Sequence, residues 1–203
     1  MAEYKGIDVS KWQGVIDWKK VKAAGVQFAM LRAMYSITKD QQFERNYTAA
    51  KAAGIPIGVY LYSYATTASA AKKEAAALIK LLKGKQLEFP VYFDIEDKVH
   101  KKLSKKTCTA IVKAFCDAME KAGYWVGVYS YDSFFGSHLD ADIQTRYTIW
   151  AANISSKPRT CKTYQIHQYS WKGRVNGVKG DVDLNTASVW YPTKIKNAKK
   201  NGF

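Results

Sequence analysis

Lys51-Ala52-Ala53-Gly54-Ile55, followed through Pro56 by Ile57-Gly58-Val59-Tyr60-Leu61-Tyr62, sets the pattern of the chain. A helical stretch ends in Lys-Ala, a glycine follows, and an apolar run begins. Glycine takes the left-handed position after a helix end at no steric cost, and short loops of this kind feed parallel strands. The same signal recurs in Lys22-Ala23-Ala24-Gly25-Val26, before Phe28-Ala29-Met30-Leu31, and in Lys121-Ala122-Gly123-Tyr124, before Val126-Gly127-Val128-Tyr129. The runs are nearly continuous in apolar character, as strands covered on both faces are. A first strand ends near Asp8, and further strands are predicted at 90–96, 146–152, 163–169 and 181–185. Helices fit at 17–24, 40–53, 67–83 and 104–122. After residue 130 the helices fade. The fold class predicted is α/β: an irregular TIM-like barrel of about eight parallel strands with an incomplete helical ring. Residues 1–191 read as one domain, and the basic stretch 192–203 as a tail or linker.

The chain has 203 residues, 47% hydrophobic and 24% charged, within the range of ordinary globular domains. No apolar run approaches the roughly 20 residues that span a bilayer, and Met1-Ala2-Glu3-Tyr4-Lys5 lacks the architecture of a signal peptide. Cys108 and Cys116 lie about 12 Å apart along one predicted helix, beyond the roughly 7 Å that a disulfide can bridge. Cys161 stands alone in a loop, and no histidine spacing makes a metal site, so the three read as free thiols. Net charge is +15, from 32 Lys and Arg against 17 Asp and Glu. Such a balance attracts polyanions. Nucleic-acid motifs are lacking, and most lysines are spread over helix faces. Lys98, Lys101, Lys102, Lys105 and Lys106 form one local cluster.

Four carboxylates sit where short apolar runs end. They are Asp8 after Tyr4-Lys5-Gly6-Ile7, Asp94 and Glu96 in Val91-Tyr92-Phe93-Asp94-Ile95-Glu96, and Asp183 in Gly180-Asp181-Val182-Asp183. Any one of them could cap a helix or pair with a lysine. All four near strand ends point to a shared pocket, because an unpaired buried carboxylate is costly. Active sites of barrels lie at the carboxyl ends of the strands, and closure brings the first and last strands together. Asp94 and Glu96, two residues apart, face the same side about 6.6 Å from each other along a strand. Close carboxylates repel, which pushes one to hold its proton near neutral pH. Glycoside cleavage uses such a pair: an acid for the leaving oxygen and a second group to support charge at the anomeric carbon.

These residues carry a resemblance. From Gly6-Ile7-Asp8-Val9-Ser10-Lys11-Trp12-Gln13-Gly14 to Gly180-Asp181-Val182-Asp183-Leu184-Asn185, the chain resembles glycoside hydrolase family 25 lysozymes. Gly58-Val59-Tyr60, Asp94-Ile95-Glu96, Val128-Tyr129-Ser130, Ile149-Trp150-Ala151 and Gln168-Tyr169-Ser170 lie between in the family's order. The resemblance covers about residues 4–191. It implies an N-acetylmuramidase that cuts the β-1,4 bond between N-acetylmuramic acid and N-acetylglucosamine in peptidoglycan, without metal or cofactor. Glu96 then matches the general acid and Asp94 the carboxylate that assists at the anomeric centre, while Asp8 and Asp183 match the remaining pocket acids. Many relatives have a histidine where this chain has Leu61 and Lys-Ala-Thr-Glu-Gly where it has Arg32-Ala33-Met34-Tyr35-Ser36, and His167 stands where a tryptophan is usual. These departures touch the rim and remove no carboxylate.

Aromatic residues make up 14% of the chain, and Tyr60, Tyr62, Tyr64, Tyr92, Tyr129, Tyr131, Trp150, Tyr169 and Trp171 lie on or just past strand ends. Aromatics in strands usually pack. Tyr60, Tyr129 and Trp150, with Tyr62 and Tyr169, are the candidates for sugar contact. His100, His138 and His167 read as ordinary. The functional expectation is a monomeric lysozyme acting on bacterial walls, as phage lysin, autolysin or secreted enzyme. Its partners are peptidoglycan glycan strands and, through its charge, anionic wall polymers. The alternative is a wall-binding module of the same fold that has lost turnover.

Overall fold

The computed structural model describes residues 3–203. Eight strands close a barrel in the order β1 (Tyr4–Val9), β2 (Phe28–Tyr35), β4 (Ile57–Tyr62), β5 (Val91–Asp94), β6 (Val126–Tyr131), β7 (Thr148–Ala152), β8 (Ile166–Gly173) and β9 (Val182–Ala187), with β9 pairing back onto β1. A two-residue strand, β3 (Thr38–Lys39), only extends β2 as a hairpin. Helices α1 (Trp18–Ala23), α2 (Phe43–Ala52), α3 (Ala68–Leu82) and α4 (Lys105–Lys121) fall where the sequence places them. Asp17, Thr67 and Ser104 cap α1, α3 and α4 by accepting backbone N–H bonds from Lys20, Ala70 and Thr107. Gly54 and Gly123 take positive φ at the ends of α2 and α4, as the recurring signal requires. Beyond β6 only the short α5 (Asp132–Ser137) and α6 (Asp142–Arg146) remain in the ring before β7.

One strand departs from the all-parallel expectation. Strands β1 to β8 of the barrel run parallel, but β9 is antiparallel to both β8 and β1. The reason is connection length. Only residues 174–181 separate β8 from β9, and a parallel return needs a crossover of a dozen or more residues. The reversal puts Asp183 near the start of its strand. Asp8 and Asp183 are nevertheless cross-strand partners, so both stand at one barrel mouth.

Period-two alternation divides the core in two. Ile7, Val9, Ala29, Leu31, Ile57, Val59, Leu61, Val91, Phe93, Val126, Val128, Ile149 and Ala151 face outward into the helix-covered cluster. Phe28, Met30, Tyr60, Tyr92, Tyr129 and Trp150 fill the lumen. Glycines make room for them. A Cβ on Gly58 would come within 2.7 Å of Met30 Cε, Phe89 Cβ and the Pro90 carbonyl oxygen.

The stretch expected to be a tail is part of the barrel. Residues 192–197 continue α7 (Tyr191–Asn197), and Ile195, one helical turn beyond Tyr191 of the preceding domain, joins it in the lumen cluster. The Asn201 side chain donates to the carbonyls of Leu87 (3.3 Å) and Phe89 (2.9 Å) and accepts from the Trp125 amide (2.7 Å). The segment therefore plugs the amino-terminal end. Its lysines conceal the pattern, because two apolar anchors suffice for so short a helix.

Gly58→Val should lower stability by about 1–3 kcal/mol, the usual cost of overpacking, read as a lower midpoint in denaturant melts. An unchanged midpoint would mean that the lumen has slack at this layer.

Candidate active site

Parity selects what lines the open end of the lumen. Asp8 on β1, Tyr60 on β4, Asp94 on β5, Tyr129 on β6, Trp150 on β7, Gln168 on β8 and Asp183 on β9 border one cavity of about 310 Å³, together with Arg32, Tyr62 and Glu96. Glu96 lies beyond β5, but its backbone stays docked on β6. The Ile95 amide donates to the Tyr129 carbonyl (3.1 Å), and the Ser130 hydroxyl donates to the Ile95 carbonyl. Glu96 thus projects into the same space as Asp94. Two larger hollows, about 600 and 620 Å³, lie against α7 and on the outer face of β8 and β9. Each has a single acid in its lining, Glu120 in one and Glu3 in the other, so neither repeats this cluster.

A hydrogen-bond network fixes the first pair of acids. Trp150 Nε1 donates to Asn185 Oδ1 (2.8 Å), and Asn185 Nδ2 donates to Asp8 Oδ2 (2.8 Å). Indole nitrogen can only donate, so the Asn185 amide has one orientation, with its nitrogen on Asp8. Gln168 is oriented in the same way. Its Oε1 accepts from the Tyr129 hydroxyl (2.8 Å) and Trp171 Nε1 (3.0 Å), and its Nε2 donates to Asp8 Oδ2 (2.9 Å) and Asp183 Oδ2 (3.3 Å). Arg32 is held by Asp40, with its Nε 2.8 Å from Asp40 Oδ2. The other pair is left open: Asp94 Oδ1 and Glu96 Oε2 are buried without a hydrogen-bond partner. Buried polar atoms are rarely unpaired, and these two border the cavity.

Electrostatics follow from burial. Desolvation lifts Asp8 to about 6, against the pull of Asn185 and Gln168. It lifts Asp183 to about 8, helped by the charge of Asp8. Glu96 rises to about 7, again chiefly through burial, with the nearby Tyr131 hydroxyl offsetting part of the rise. Asp94 rises well above the ordinary carboxylate range through burial and the charges of Glu96 and Asp8, while Arg32 pulls it back. Burial and these acids also keep the hydroxyls of Tyr60 and Tyr129 protonated. Four carboxyls crowded into one largely buried cavity cannot all be charged at neutral pH. The site therefore stores protons beside carboxylates, which suits acid-assisted cleavage of an acetal.

Residues 7–178 match the sequence pattern of the family described as Glycosyl hydrolases family 25. The chain belongs to that family. An autolytic lysozyme of Clostridium acetobutylicum is 31% identical over 186 residues, covering 91% of this chain and 56% of the relative. Lysozyme M1 of Streptomyces globisporus is 30% identical over 207 residues, covering 89% of this chain and 66% of the relative. The chain thus spans between about half and two thirds of these relatives' lengths. Among solved structures, a bacterial lysozyme from Streptomyces coelicolor superposes with TM-score 0.77 at 28% identity, covering 93% of this chain and 94% of that one. The modular autolysin LytC of Streptococcus pneumoniae, also solved with a synthetic peptidoglycan ligand, gives 0.82 at 32% identity over 91% of this chain and 46% of its own.

Within this family 25 fold, all four acids predicted from sequence meet at the mouth, with Tyr60, Tyr62, Tyr129 and Trp150. Tyr169 does not. Its neighbour Gln168 points into the lumen, so Tyr169 points out, beside His167 on the outer face of β8. Arg32, Gln168 and Asn185 were not among the predicted site residues. The available signal was parity, since Asn185 is two residues from Asp183 on one strand face. Of the lysine cluster, Lys101 reaches the mouth, with its ammonium 5.6 Å from the Tyr131 ring centroid and lowering Glu96. Lys105 is turned to the Gly136 carbonyl.

Asn185→Leu should raise the Asp8 pKa, because a donor to its charged form is lost, and should destabilise the fold by about 1–3 kcal/mol through the stranded Trp150 N–H. Thermal melts and carboxyl-resolved NMR read the two effects. An unmoved Asp8 would remove Asn185 from the network.

Proposed function

We propose that the chain is a lysozyme hydrolysing the β-1,4 bond between N-acetylmuramic acid and N-acetylglucosamine in bacterial peptidoglycan, and that it acts at the cell wall. The observation that carries this reading is the pairing of Glu96, lifted to about 7, with Asp94 in one cavity, each with an unpartnered buried oxygen. The two lysozyme relatives support the substrate.

The chemistry follows from the charges. When Glu96 holds a proton, its push on Asp94 vanishes, which leaves burial and the charge of Asp8 opposing the Asp94 carboxylate and Arg32 favouring it. Glu96 donates its proton to the glycosidic oxygen as that bond breaks. The carbonyl oxygen of the sugar's own 2-acetamido group bonds to the anomeric carbon, while Asp94 accepts the amide N–H and steadies the oxazolinium. Water next attacks the anomeric carbon, giving its proton to the Glu96 carboxylate, and the oxazolinium ring opens. Two displacements give net retention. Asp8, anionic and fixed by Asn185 and Gln168, adds negative charge beside the developing cation, and Asp183 holds its proton against Asp8. Trp150, packed edge-on against Tyr60 at 5.8 Å and tilted over Tyr129 at 4.5 Å, makes a rigid floor for the sugar. The net charge of +15 holds the protein near anionic wall polymers.

On purified walls the protein should release new reducing ends of N-acetylmuramic acid with retained anomeric configuration. The rate should fall as pH rises through about 7, where Glu96 loses its proton. Glu96→Gln should bind walls yet lose at least about 10²-fold in rate. In the same assay, rising salt should slow whole-wall clearing before it slows hydrolysis of an uncharged fragment, since exposed charges are screened within about 10 Å at 0.1 M. N-acetylglucosamine at the new reducing end, or clearing by Glu96→Gln at the normal rate, would overturn the reading.

A further inference from the structure

A second hollow, about 320 Å³, adjoins the catalytic cavity and shares Trp12, Arg32 and Tyr62 with it. Lys11, Tyr35 and Tyr64 complete its wall. Its chemistry is the reverse of its neighbour's: two cations and four aromatic rings, with no acid. The Lys11 ammonium lies 4.7 Å from the Trp12 ring centroid and 5.6 Å from that of Tyr35, and the Arg32 guanidinium lies 5.6 Å from the Tyr35 centroid. Asp40 neutralises Arg32, but Lys11 has no salt-bridge partner among the described residues. The turn that carries Lys11 is built firmly. The Lys11 amide donates to Asp40 Oδ2 (3.1 Å), and Ser10 and Gln13 close a reciprocal capping box around residues 11–13. Trp12 stands 75% exposed at the boundary of the two hollows, an apolar face left open to solvent.

We propose that this hollow recognises a carboxylate carried by the sugar chain, which stacks on Trp12 as it passes out of the catalytic cavity. The proposal rests on the lysozyme reading and deepens it by assigning to Lys11 the preference for strands with a free carboxylate over strands in which it is masked. The argument is electrostatic. A carboxylate on the substrate is repelled by a cavity holding four acids, so a charged substituent must project from it. The hollow past Tyr131 and Trp171 is the poorer outlet, because Asp132 lines it and Lys101 only borders it at the Tyr131 ring. Lys11, the cation of this hollow left without a salt-bridge partner among the described residues, supplies the compensating field on the Trp12 side, where aromatic walls lower the local dielectric and strengthen a charge pair. The carboxylate has two sources in such a strand, the lactyl group of muramic acid and the acidic residues of an attached peptide.

Wild type, Lys11→Gln and Tyr35→Ala are compared on three soluble glycans: peptide-bearing strands, peptide-stripped strands with free lactyl carboxylates, and stripped strands methyl-esterified at those carboxylates. Lys11→Gln should raise KM about 5-fold on a charged substrate, the upper range for a partly exposed pair, with kcat kept, and should leave the esterified strands unaffected. Tyr35→Ala, which frees the ammonium from one of its rings, should show a smaller loss on the same substrate. Loss confined to stripped strands assigns the lactyl group, and loss confined to peptide-bearing strands assigns the peptide. Equal KM values for Lys11→Gln and wild type on all three, or an equal rise on all three, would overturn the proposal alone. Wild type cleaving none of the three would overturn the lysozyme reading and the proposal with it.

Discussion

The mutual crowding of Asp8, Asp94, Glu96 and Asp183 in one desolvated cavity is the constraint on which the rest of the mouth depends. None of the four pairs with a lysine or arginine in a salt bridge among the described residues. Neutral amides and an indole stabilise Asp8 instead, through Asn185, Gln168 and Trp150. Neutral donors can satisfy a carboxylate without extinguishing its field, so the remaining acids stay proton-loaded. The arrangement has a cost. Acids whose folded-state pKa is raised support stability fully below the ordinary carboxylate range and lose it as pH rises through about 6 to 8. The barrel meets that cost with two cores, one beneath the helices and one of aromatic rings inside the lumen, with α7 closing its base.

Rigidity and reactivity are separated along the barrel axis. At the base, Phe28 stacks on Phe89 and Tyr191 packs against Phe89, so the lumen there is solid. At the mouth, β9 reverses direction and sets Asp183 directly opposite Asp8. The charge of Asp8 helps Asp183 keep its proton, and Gln168 spans both members.

Much of this was legible in the residues. The Lys-Ala-Gly signal places three strands, and the Asp-x-Glu spacing puts two acids on one face. The failures have physical causes. The direction of β9 is set by an eight-residue connection, 174–181, rather than by strand composition. Tyr169 carries the aromatic character of a sugar contact, but only strand parity tells which face it occupies. Helix α7 hides two anchors, Tyr191 and Ile195, among lysines. Arg32, Gln168 and Asn185 are neither acids nor aromatics, and their part in orienting or biasing the reactive groups depends on contacts between strands far apart in the chain.

The most direct measurement is a carboxyl-resolved ¹³C NMR titration of the ligand-free protein. Glu96 should titrate near 7, Asp183 near 8 and Asp8 near 6, with Asp94 well above the ordinary range. Removing Glu96 by Glu96→Gln should lower Asp94, as one repelling charge is lost. All four titrating independently near 4, the ordinary carboxylate range, would contradict the account, because the acids would then be solvated and apart.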